Sequence, residues 1–361
     1  MKIFLVHPGF DWASGDISLS VEEALRGLGC KVTAFDPLHG MRAFAPLISG
    51  GGKRGLKTTG DMALRLSCER IPLRVIEEKP DLLLAVHGAR LPAHVVDAVR
   101  KLGVPTAVWL LDDPHEIDLS CRYAGHYEWV FTDERMAVAA HKAAGSYRTF
   151  HLPLGCDPAL QRPLEVEEKY RSDVCLVGSG FPERIKLLLP LQEELCKFNL
   201  KLVGHWAGLP GDSRLKKCVA DGFVPPAEAA RYYAGAKIVI NPHRDDAGLS
   251  LASNLWGVRA VSPNPRLFEA AACGAFVIAD DKRTDVGRYF RIGEEMDIFH
   301  DGPGLVSKIR YWLDREEERS AGAAAASLRA RRDYSLEKRM AELLEISCGW
   351  VPARAAAGAA A

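Results

Sequence analysis

Apolar residues fall along this chain in short unbroken runs, and between the runs they recur every three or four positions. "KIFLV" at 2–6, "LLLAV" at 82–86, "TAVWLL" at 106–111 and "VCLVG" at 174–178 are such runs. Continuous runs of this length mark strands covered on both faces, whereas a half-exposed strand would alternate. The spaced stretches between them mark amphipathic helices. Regular alternation of the two predicts an α/β chain with parallel sheets flanked by helices.

In the first half the pattern predicts further strands at "KVTAF" (31–35), "WVFT" (129–132) and "TFHLPLG" (149–155). Ser20 and Glu23 form a capping box that predicts a helix through Leu28. Other helices are expected over 61–78, 93–102 and 134–144, with a loop over 38–60. Near 156–172 the pattern breaks at "CDPALQRPLEVEEKYRSD", whose prolines and charges suit a linker. Alternation then resumes with "VCLVG", one long helix over 182–198, "LKLVG", a helical "EAARYYA", "KIVIN" and a final helical stretch over 302–346. The expected organisation is a domain over 1–158, a second over 159–332, a helix over 333–348 and a disordered alanine-rich tail over 349–361. Two such halves leave a cleft beyond the carboxyl ends of their strands, where α/β proteins bind ligands.

Composition narrows the partners. The 361 residues carry 47 Lys+Arg against 47 Asp+Glu, so no basic excess points to nucleic acid or an anionic membrane. No apolar run is long enough to span a bilayer, and "MKIFLV" is too short for a signal core. The nine cysteines include no C-x-x-C pair, so neither a disulfide frame nor a zinc site is indicated. These features read as a cytoplasmic protein with reduced thiols and no metal centre.

Several stretches carry chemistry. In "SPNPRLFEAAACGAFVIADD" Asn264 is a good N-cap, Pro265 suits the first helical position and Gly274 suits the helix end. A helix start attracts phosphate, and Glu269, one turn deeper, can accept both hydroxyls of a ribose. The alternative is an ordinary surface pair between Arg266 and Glu269. "VCLVGSGFPER" runs from strand through Gly178, Ser179 and Gly180 to Arg184, which suits an anion. It reads G-x-G-x-x-E and so fails as a dinucleotide fingerprint, which counts against an NAD-type oxidoreductase. A plain strand-to-helix turn is the alternative. "GFVPPAEAARYYAGAKIVINPHRD" offers the Val224 backbone to a nucleobase and places Asn241 and His243 at a strand end.

"VWLLDDPHEID" ends a strand in two aspartates. Adjacent side chains at a strand end point to opposite sides, so Asp112 and Asp113 are not expected to chelate one ion together. One of them is expected at the ligand rim as a base, beside His87, and the other as a cap of the Pro114 turn. "GGGKRG" at 50–55 lacks the spacing of a phosphate-binding P-loop and reads as a mobile loop.

Together, "NPRLFEAAACGAFVIADD", "VWLLDDP", "VGSGFPER" and "DYSLEKRMAELL" resemble, in order and spacing, the GT-B glycosyltransferases of the spore-maturation CgeB-like group, which are related to retaining family four. The resemblance covers roughly residues 1–346. It implies a GT-B architecture of two Rossmann-like domains, with an acceptor hydroxyl (glycan, protein or small molecule) at the first and a nucleoside-diphosphate sugar at the second. It also implies Glu269 on the ribose, Arg184 and the N–H groups after Asn264 on the diphosphate, and the Val224 region on the base. Related enzymes often carry another glutamate eight residues before this one. Here that position is Val261, which leaves Asn264 or Arg266 as sugar contacts. No metal is implied, because a helix dipole and basic residues can stabilise the leaving diphosphate. If transfer inverts the anomeric centre, Asp112, Asp113 or His87 is the expected base. A GT-B-fold binding protein without turnover is the alternative.

Overall fold

The buried runs order themselves into two parallel sheets. A computed structural model describes residues 1–10, 13–42, 44, 59–246 and 254–351. The "GGGKRG" stretch and residues 352–361 of the tail lie outside the described residues.

The first sheet contains β1 (Lys2–Val6), β2 (Lys31–Phe35), β3 (Leu82–Val86), β4 (Thr106–Leu110), β5 (Trp129–Thr132) and β6 (Thr149–His151) in the order β2-β1-β3-β4-β5-β6. The second contains β7 (Ser172–Val177), β8 (Leu200–Val203), β9 (Val219–Asp221), β10 (Ala236–Asn241), β11 (Phe276–Asp280) and β12 (Met296–Phe299) in the order β12-β11-β10-β7-β8-β9. Every pairing between neighbouring strands is parallel. Counted from β7, the second sheet has the 3-2-1-4-5-6 order of a Rossmann fold. All residues of β3, β4 and β11 are buried, which explains their unbroken apolar sequence.

The chain divides into two units. One holds the described residues of Met1–Pro153, Asp246–Ala260 and Leu336–Ala361; the other holds Leu154–Asp245 and Val261–Ser335. The division falls five residues before the boundary read from the sequence, and residues 246 and 254–260 group with the first unit. There Leu255 N–H donates to Asp118 (2.8 Å) and Val258 packs on Ile117 and Ala137. Helix Leu336–Cys348 belongs to the first unit and packs on helix Ala13–Gly27.

Four element expectations are corrected, the first being the loop over 38–60, whose start is a short helix, Pro37–Arg42. The first helix spans Ala13–Gly27, so Ser20 lies inside it instead of capping it. Its buried stripe is Ser14, Ser18, Val21 and Leu25, and two serines at core positions hid the period. The expected helix over 61–78 is two, Gly60–Cys68 and Ile71–Glu78, with Pro72 in the first turn of the second. The expected helix over 182–198 stops at Leu188 and continues as a 3-10 turn and a short helix Gln192–Leu195. Pro190 accounts for that break: it has no N–H to donate and its ring crowds the preceding turn.

Candidate functional site

In the second sheet, successive connections reverse direction between β7 and β10, so the loops after these two strands part and leave a crevice at their carboxyl ends. Gly178 to Phe181 follow β7, and Asn241 to His243 close β10. Arg184, on helix Pro182–Leu188, ties the two loops: Nε donates to the Pro242 carbonyl (3.1 Å) and Nη1 to the Ser179 carbonyl (2.8 Å). Arg266, in the first turn of helix Pro265–Ala272, donates from Nη1 to Asn241 Oδ1 (2.9 Å). Asn241 and Asn264 exchange amide hydrogen bonds of 3.1 and 3.0 Å. Asn264 Oδ1 also caps its helix by accepting from Leu267 N–H (3.3 Å). The helix buries Leu267, Phe268, Ala271 and Ala272, the face the sequence predicts.

The glycines make room for this arrangement. Gly178 has φ +142°, and a Cβ there would stand against Arg266 Nη2 and 3.0 Å from Arg184 Nη1. Both guanidiniums therefore converge on the space a side chain would fill. A Cβ on Gly180 would lie 2.5 Å from the Trp206 ring.

The electrostatics are unusual. Arg184 is buried, and burial followed by the Arg266 charge holds its pKa well below the usual arginine value. Neither arginine forms an ion pair with a carboxylate among the described residues, and Arg266 Nε is buried without a hydrogen-bond partner among them. His243 is buried too: its backbone N–H donates to Asp280 Oδ2 (2.8 Å) and its Nδ1 to Oδ1 (2.6 Å). Burial pulls the imidazole down to about 4 despite Asp280. It is therefore neutral, and Nε2 is left as a buried acceptor.

Of the donor-site residues expected from the sequence, Gly178, Ser179, Gly180, Arg184, Asn241, His243, Asn264 and Arg266 come together here. Glu269 lies in the same helix as Arg266, and its charge, after burial, pushes the Tyr233 hydroxyl well above its usual pKa. Val224 lies between β9 and helix Pro226–Ala234. Val261 is buried and its carbonyl accepts from Asp285 N–H (3.0 Å).

In the first sheet the connections reverse between β1 and β3. His87 ends β3 at φ +67°, where a non-glycine residue is uncommon and often functional. Its Nε2 lies 3.6 Å from Asp112 Oδ2 and 3.3 Å from Glu116 Oε2. Burial lowers the pKa of His87, but bonds to Asp112 and Glu116 outweigh it and raise it to about 9.

Asp113 turns the other way, as the strand geometry requires. It is buried, accepting from Ser120 Oγ (2.8 Å), Thr132 Oγ1 (2.7 Å) and His141 Nε2 (2.7 Å). It is thus an internal anchor, neither a rim base nor a simple cap of the Pro114 turn.

Sequence reasoning missed Glu116, Asp280 and Trp206. Glu116 stood in the same quoted stretch as Asp112, but a non-helical turn joins them through Glu116 N–H and the Asp112 carbonyl (3.2 Å) and leaves no periodic signal. Asp280 and Trp206 meet their partners only across the sheet.

The chain is similar to known proteins in sequence and in fold. A family model described as "Glycosyl transferase-like" matches residues 183–345. The spore protein CgeB of Bacillus subtilis (strain 168) is 27% identical over 251 residues, 68% of this chain and 76% of that protein. Among solved structures, sucrose-phosphate synthase from Thermosynechococcus elongatus superposes with a TM-score of 0.62 at 15% identity, covering 95% of this chain and 98% of the other. HepE of Anabaena, solved with UDP, superposes with a TM-score of 0.61 at 16% identity, covering 95% and 99%.

Proposed function

We propose that this chain, a CgeB-like glycosyltransferase with the GT-B fold, moves a sugar from a UDP-type donor to an acceptor hydroxyl, with no metal on the diphosphate. The observation that carries this reading is the convergence of Arg184 and Arg266 on the space beside Gly178. Two like charges held together, one of them buried, destabilise each other unless an anion joins them. A diphosphate supplies that anion, and guanidiniums match its oxygens in bidentate fashion. The two cations also neutralise the leaving diphosphate as its bond to the sugar breaks. The site lies where a Rossmann sheet reverses, the usual place for a nucleotide. The like-folded HepE has been solved with UDP and with UDP-glucose, which favours uridine over other bases.

In this reading Glu269 takes the ribose hydroxyls and the backbone near Val224 takes the base. His243 Nε2, an acceptor without a partner among the described residues, is available to a donor hydroxyl. Retention of the anomeric configuration is the favoured outcome. Asp113 is enclosed, and Asp112 and Glu116 both lean on His87, so each rim group already has a partner.

Calorimetric titration with UDP, GDP and TDP, in EDTA and in magnesium, tests the reading. UDP is expected to bind in EDTA and more tightly than the other two. Absence of binding by all three, or binding only with magnesium, would overturn it. Glu269→Ala is expected to weaken UDP by roughly 1.5–3 kcal/mol, the worth of hydrogen bonds to a charged group. Unchanged affinity in that variant would remove Glu269 from the ribose.

A further inference from the structure

We propose that His87, Asp112 and Glu116 form a binding site for one divalent transition-type cation, of the zinc or manganese class, on the first unit. Each residue offers one ligand atom, and the three atoms lie within 4.8 Å of one another. Nε2 already stands 3.3 Å from Glu116 Oε2 and 3.6 Å from Asp112 Oδ2. Ligand atoms bound to one ion at about 2.0–2.2 Å stand roughly 3–3.5 Å apart, so Glu116 is already at that spacing from Nε2, Asp112 is just outside it, and the two carboxylates must close by at most about 1–2 Å.

The imidazole is held in place before any ion arrives. The His87 backbone N–H donates to the Trp109 carbonyl (2.7 Å), and its own carbonyl accepts from Tyr123 Oη (2.7 Å). Its ring meets Phe10 edge to face at 5.0 Å. The ring is buried, while the Asp112 and Glu116 side chains are 30% and 28% exposed. Three protein ligands on one side and solvent on the other is the arrangement of an open metal site.

The neighbouring carboxylate does not compete, because Asp113 is turned inward and occupied by His141, Ser120 and Thr132. Imidazole with two carboxylates suits zinc or manganese better than calcium or magnesium, which prefer all-oxygen sets. On binding, Nε2 gives up any proton it holds and the ion takes the position between the carboxylates. This site is on the first unit, and the guanidinium pair that would hold a diphosphate is on the second. The two inferences therefore stand apart.

The test uses the full-length, tag-free chain, stripped with EDTA and desalted, then titrated calorimetrically with Zn2+, Mn2+ and Mg2+. Glu116→Gln and Asp112→Asn are run in parallel. Both side chains are partly exposed and the amides are isosteric, so folding should survive, as circular dichroism will check. One Zn2+ or Mn2+ per chain is expected, with micromolar affinity, weaker by about tenfold or more in each variant, a loss of about 1.4 kcal/mol or more. No saturable one-to-one binding in the unmodified chain overturns the proposal. So does binding that both variants retain undiminished, since the ion then sits elsewhere. UDP titration of the same unmodified sample reports on the second unit separately.

Discussion

Arg266→Ala is expected to weaken UDP binding about 10- to 100-fold while leaving the unliganded chain no less stable. The loss follows from removing one charge-assisted contact to the diphosphate, worth about 1.5–3 kcal/mol. The unliganded state is spared for two reasons. Asn241 Oδ1 keeps its bond from Asn264 Nδ2 (3.0 Å) when Arg266 Nη1 is gone, so no buried acceptor is orphaned. Arg184, which the Arg266 charge disfavours, is relieved of a like neighbour. Arg184→Ala should differ: it orphans the Pro242 carbonyl, leaves the Ser179 carbonyl only Phe181 N–H (2.9 Å), and empties a buried volume, so both UDP affinity and the melting temperature fall. Calorimetry with melting curves separates the two. UDP affinity unchanged in Arg266→Ala would mean that the pair does not hold a phosphate.

The second large effect concerns the fold of the first unit. Asp113→Ala is expected to cost about 3–5 kcal/mol, because it leaves the buried His141, Ser120 and Thr132 donors without their shared acceptor. The same pair makes stability depend on pH. Burial pulls the His141 pKa down, but the bond to Asp113 outweighs it and raises it to about 9. A histidine raised above its unfolded value of about 6.5 stabilises fully below that pH, and the contribution is lost as pH rises through 9. This pair should therefore contribute up to about 3 kcal/mol less stability at pH 9 than at pH 6.5 in denaturant unfolding of the unmodified chain, and His87, raised likewise, adds to the same slope. In Asp113→Asn this slope should become shallower, leaving the part that His87 supplies. An equal slope in both would remove the His141–Asp113 pair as its source.

His243, lowered to about 4, contributes with the opposite sign. It is neutral when folded and gains a proton more readily when unfolded, so its contribution is present above about pH 6.5 and is lost as pH falls toward 4.

Much of this could be read along the chain. Unbroken runs such as "LLLAV" announced strands covered on both faces, and those runs form the centres of both sheets. Asn264, Pro265 and Gly274 marked the ends of one helix because caps are local chemistry: each acts on backbone within a turn of itself. The opposed directions of Asp112 and Asp113 also followed from strand geometry alone. Serines at core positions of helix Ala13–Gly27 and the interruption at Pro190 show where local patterns mislead.

What only the tertiary structure decided was which of these marked residues meet. Arg184 and Arg266 are 82 positions apart, and nothing in either stretch shows that their guanidiniums share the space beside Gly178. That meeting follows from the order of β7, β10 and β11, and it sets the charge of the site. Asp113 gave no sign in sequence that His141, 28 residues on, would enclose it, nor did His87 that it would sit between Asp112 and Glu116. The physical reason is one of range. Propensity, capping and periodicity act over a few residues and fix elements, whereas burial and Coulomb interactions act through space and depend on which strands the sheet places side by side.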